Sequence, residues 1–127
     1  MLTIRDSQLF ALREARRRDF VDRLIPRMAA EYPTAHASLQ DAGIRKIIER
    51  ALSTGEVYGI VTEGGVTSVA GLMIQYGETF ERSPDREWAR QTLADARSHE
   101  SLRMDLLVER MASRSRGRVI VEQEDED

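Results

Sequence analysis

Cysteine is absent from this 127-residue sequence, and histidine occurs only at His36 and His99. The first absence excludes disulfides, thiolate zinc sites and cysteine nucleophiles, and it suits a reducing compartment. The second leaves few bases for a nucleophilic triad, and neither histidine sits in a nucleophile motif. Lysine is nearly missing: Lys46 stands alone against eighteen arginines, a bias that genomic base composition explains as well as function does. No apolar run approaches the roughly 18 residues of a membrane span. The start, Met1 to Asp6, lacks the apolar block of a signal peptide. The expectation is a cytoplasmic chain that holds no cofactor or metal and enters no membrane.

What is present fits one soluble globular domain, with 41% hydrophobic and 32% charged residues. The net charge of −3 exerts no global pull on nucleic acid. Charge is nonetheless uneven. Arg13, Arg16, Arg17 and Arg18 crowd an early segment, Arg114, Arg116 and Arg118 come late, and Glu122 to Asp127 are almost all acidic. We expect a single helical domain over residues 1–116 and a flexible acidic tail over 117–127.

Hydrophobic spacing predicts an all-α bundle of about five helices. Thr3 can cap a first helix reaching Glu31, with Phe20, Val21, Leu24, Ile25 and Met28 on its buried face. Pro26 should kink or break it, and Pro33 should end it. Ser38 and Asp41 form a capping signal for a second helix, whose Ile44, Ile47, Ile48, Ala51 and Leu52 follow the i, i+3, i+4, i+7, i+8 pattern. Gly55 supplies its stop. The stretch 57–74 reads two ways. Val57–Thr62 and Val66–Ile74 around Gly64-Gly65 could form a β-hairpin, which would make the fold α+β. Alternatively Thr62 caps a third helix with Val66, Val69, Ala70, Met73, Tyr76, Gly77 and Phe80 on one face; strict alternation fails at Val69-Ala70, so we take the helix. Ser83-Pro84 starts a fourth helix with Trp88, Ala89, Leu93 and Ala94, and Ser98 starts a fifth with Leu102, Met104, Leu107, Val108 and Met111 buried. Gly117 should stop the last helix before a short strand at Val119–Val121. The strongest apolar positions, Phe20, Leu24, Ile44, Ile47, Ile48, Leu52, Met73, Phe80 and Trp88, should share one core.

Chemistry-bearing patterns are few. His36 falls in an expected loop and His99 in a helix first turn, both as ordinary surface residues. Glu63-Gly64-Gly65-Val66 is the nearest thing to a phosphate loop, yet it lacks the Lys and Ser/Thr of a P-loop. No acidic pair has metal-ligand spacing, so no catalytic site is expected. A helix-turn-helix regulator of DNA is disfavoured, because the third helix holds no Arg or Lys between Glu56 and Glu81. The arginine group is the most distinctive feature. Arg13, Arg16 and Arg17 share one helical face, where guanidinium forks could hold phosphates, an acidic partner or the chain's own acidic tail, or simply form a solvated face paired with Glu14, Asp19 and neighbouring helices.

The series Phe20, Arg23-Leu24, Tyr32-Pro33, Tyr58-Gly59-Ile60, Thr62-Glu63, Tyr76-Gly77, Phe80 and Trp88-Ala89 resembles small helical bacterial proteins encoded beside type VI secretion spike and effector genes. The resemblance covers roughly residues 5–94. It implies a cytoplasmic, non-catalytic accessory protein whose partner is another protein: an adaptor or chaperone for a secretion effector or spike component, or an immunity protein neutralising a toxin. A second copy of the chain is the other partner of that kind.

Overall fold

The computed structural model describes the backbone of residues 2–126 and the side chains of residues 13–114. Among the described residues the fold is all-α, with five α-helices and no strand: α1 (Leu2–Glu31), α2 (Pro33–Tyr58), α3 (Glu63–Tyr76), α4 (Glu87–Ala94) and α5 (Glu100–Glu126). Short 3₁₀ turns at Phe80–Arg82 and Pro84–Arg86 link α3 to α4. The hairpin alternative at 57–74 therefore does not form.

α1 and α2 pack against each other, α3 packs on α2, and α5 lies across α3 and α4. α1 begins at Leu2, so the expected cap Thr3 lies inside it. It also passes Pro26 without a break. Pro26 is exposed, so the carbonyl one turn earlier loses its N–H partner on the solvent side, where water replaces it. Pro33 ends α1 and opens α2, its missing N–H being one that a first helical position leaves unpaired anyway. The second helix thus starts five residues before Ser38. It bends at Gln40, whose φ of 59° and ψ of −177° interrupt the helical backbone.

Gly55 does not stop α2. The helix runs on to Tyr58, and Gly59 adopts the left-handed conformation (φ 75°) that ends it, its N–H donating to the Gly55 carbonyl. Gly55 serves a different need. The chain folds back so closely that a Cβ there would lie 2.3 Å from the Ile60 carbonyl oxygen. Thr62 caps α3 as expected, its hydroxyl accepting from Gly65 N–H at 3.1 Å. The chain turns by 118° between α2 and α3. α3 ends at Tyr76, and Phe80 is buried from the following 3₁₀ turn rather than from the helix.

The core joins Phe20, Leu24 and Met28 of α1, Ile44, Ile47 and Ile48 of α2, Val69 and Met73 of α3, and Phe80. Leu52 and Trp88 are only half-buried against it, because Leu52 lies at the mouth of a cleft and Trp88 sits under two α5 arginines. Ala94, at the end of α4, is exposed. On α5, Leu102 and Val108 are 50% and 43% exposed, against the expectation, while Met104, Leu107 and Met111 are buried. The buried stripe there is Glu100, Arg103, Met104, Leu107 and Met111. Two of its members are charged, so a purely apolar reading slid onto the flanking positions. Helical backbone continues through Gly117 to Glu126, so Val119–Val121 are not a strand. The expected flexibility of the tail 117–127 falls on residues whose side chains lie outside the described set.

Glu100 and Arg103 fasten the α2–α3 corner. The Glu100 carboxylate accepts from the N–H groups of Val61 (3.0 Å) and Thr62 (2.9 Å) at the start of α3. Arg103 Nη1 donates to the carbonyls of Tyr58 (2.8 Å) and Leu93 (2.7 Å). Those carbonyls belong to the last turns of α2 and α4, where the helix dipoles present partial negative charge. One turn of α5 therefore sets an anion at a helix start and a cation at two helix ends.

Candidate functional site

The fixed α2–α3 corner forms one wall of a cleft, and the arginine segment of α1 forms the other. Below Phe20, α1 is anchored by its apolar stripe; above it, the described residues 13–19 bury no side chain. Spacing of i, i+3 and i+4 turns Arg13, Arg16 and Arg17 to one side, where they overhang the corner. The resulting cleft has a volume of about 290 Å³. Its apolar surface comes from Phe20, Leu52, Ile60, Val61 and Val66, and its polar rim from the three arginines with Glu56, Thr62 and Glu63.

The charges on that rim do not cancel. Arg17 is paired with Glu56. Glu63 is held by Arg23 at 2.8 Å, and Arg23 also binds Asp19 at 2.9 Å. Those two carboxylates, Glu63 foremost, raise the Arg23 guanidinium pKa further above its ordinary value. Both rim carboxylates are thus engaged, whereas Arg13 and Arg16 form no ion pair among the described residues. Val61 of the cleft and Val57 beside it stand 71% and 77% exposed. Guanidinium groups next to exposed valines make a surface that offers both charge and apolar contact.

The three arginines singled out from sequence therefore line one cleft, although Arg17 is paired with Glu56 while Arg13 and Arg16 form no ion pair among the described residues. Sequence reading missed the apolar wall opposite them. Its signal was present in Val57, Ile60 and Val61, whose closeness in sequence instead suggested a strand. The residues weighed as bases lie elsewhere. His36 falls within α2 rather than a loop, with Nε2 2.8 Å from Asp41 Oδ1 across the Gln40 bend. His99 precedes α5, where its Nδ1 accepts from Ser101 N–H at 3.1 Å and so caps the first turn.

A second arginine cluster lies at the α4–α5 seam. Arg110 and Arg114 sit 5.6 and 4.5 Å from the Trp88 ring centre, within cation–π range. Among the described residues, Trp88 Nε1 and the buried Glu81 Oε2 have no hydrogen-bond partner. Among the described residues no group of three or more acidic or histidine side chains is placed to hold a metal ion, and no single helix is long and apolar enough to cross a membrane. No protein-family model, curated protein or solved structure matches the chain.

Proposed function

We propose that this chain is a non-catalytic protein-binding accessory protein, and that the Arg13–Arg16–Arg17 cleft receives an apolar segment flanked by carboxylates on its partner. One observation carries the reading: among the described residues Arg13 and Arg16 form no ion pair, while they stand over an apolar floor beside exposed valines. Burying the valines supplies attraction, at roughly 25 cal/mol per Å² of apolar surface. The guanidinium forks then orient the carboxylates and speed encounter. Glu56 and Glu63 on the same rim oppose a continuous polyanion such as nucleic acid, which needs an unbroken basic track. The resemblance noted above makes a secretion effector or spike component the first partner to examine, in an adaptor or chaperone role.

The test uses a fluorescent peptide of alternating leucine and glutamate. It should bind the wild-type protein, with affinity falling as salt rises. Arg13→Glu with Arg16→Glu should weaken binding by about tenfold or more, corresponding to ~1.4 kcal/mol, and leave the circular dichroism spectrum unchanged. Equal affinity in the folded double variant, with the same salt dependence, would leave the arginine face as mere solvated surface.

A further inference from the structure

The rim where Arg13 and Arg16 form no ion pair among the described residues has a complement within this sequence: Val119-Ile120-Val121 is followed by the acidic residues Glu122, Glu124, Asp125, Glu126 and Asp127. An apolar triplet joined to an acidic run is the chemistry that an apolar floor under guanidinium groups would select. The fold dictates which copy can deliver it. α5 starts beside the cleft, since its Glu100 holds the N–H groups of the cleft residues Val61 and Thr62. The helix then runs 26 residues away to Glu126, about 39 Å at the α-helical rise of 1.5 Å per residue. A cleft of about 290 Å³ near the first turn of α5 cannot meet the far end of the same helix.

From this we infer that the cleft takes the acidic C-terminal segment, residues 119–127, of a second copy of the chain. The inference rests on the cleft binding acidic–apolar segments and names the occupant. Such a contact joins two different surfaces, so it yields either a reciprocal pair or an extending chain of copies. It also links availability of the cleft to protein concentration. A partner's segment would have to displace the tail, so self-association would hold the cleft closed until a better ligand arrives.

Sedimentation velocity on the full chain tests this. The wild type should self-associate with rising concentration at low salt and dissociate as salt is added. Arg13→Glu/Arg16→Glu should be monomeric, and so should a tail variant carrying Glu124→Lys and Asp125→Lys. Mixing the two variants should restore association, because each supplies the charge the other has reversed; this outcome also shows that both are folded. A labelled peptide of residues 117–127 should bind the tail variant and lose about tenfold in affinity for the arginine variant. A wild type that stays monomeric, or a tail variant that associates as the wild type does, overturns the inference. If the leucine–glutamate peptide still binds in that case, the cleft remains a binding site with a different occupant. If neither peptide binds, both readings fall.

Discussion

Ile48→Ala is expected to lower the unfolding free energy by about 2 to 5 kcal/mol, read from denaturant midpoints at unchanged slope. Ile48 is fully buried on α2, the helix that packs against both α1 and α3. Truncation removes the transfer energy of three carbons and leaves a cavity that flanking Ile44 and Ala51, both fully buried, cannot close without moving whole helices. Leu52, one turn on, is half-buried at the cleft, so its truncation should cost clearly less. Equal losses at the two positions, or a loss under about 1 kcal/mol at Ile48, would contradict this division between core and cleft.

The second large effect concerns Glu100. Glu100→Gln should cost about 2 kcal/mol at neutral pH, because charge-assisted hydrogen bonds of this kind contribute roughly 1.5 to 3 kcal/mol. A glutamine offers one oxygen where the carboxylate offers two, and it turns an N–H₂ group toward a backbone N–H. The wild-type response to acid supplies a separate check. Burial pushes the Glu100 carboxyl up, but its contacts with the Thr62 side chain and the N–H groups of Val61 and Thr62 outweigh burial, and the folded-state value lies below the ordinary one. A carboxyl held low in the folded state stabilises fully above its unfolded pKa of about 4.3. That stability disappears as pH falls through the lower folded value. The difference between wild type and Glu100→Gln should therefore shrink on acidification from about pH 4.3 downward. A difference that stays constant through that window would place the effect in packing, not charge.

Much of the fold is legible wherever apolar spacing is regular. The isoleucine stripe of α2 and the face of α3 declare themselves, and Thr62 is a cap by residue type and position. Legibility fails where a residue serves a neighbour distant in sequence. Gly55 resembles a stop signal, yet it is small because Ile60 folds back upon it. Gly71 resembles a helix weakener, yet a Cβ there would lie 2.8 Å from the Tyr32 hydroxyl, so the glycine lets α3 approach the α1–α2 junction. Glu100 and Arg103 resemble surface charges, and only the convergence of three helix ends gives them buried work. The candidate site divides in the same way. Helical spacing alone places Arg13, Arg16 and Arg17 together. The cleft opposite them depends on the 118° turn between α2 and α3, which no local pattern encodes.

An NMR titration of the full chain with the leucine–glutamate peptide, following valine and isoleucine methyls together with arginine Nε–H groups, locates the binding surface residue by residue. The shifts expected are those of Val57, Ile60, Val61 and Val66, with Arg13 and Arg16 moving in step and the Trp88 indole unmoved. Shifts centred on Trp88, Arg110 and Arg114, or no shifts at saturating peptide, would contradict a binding role for the cleft.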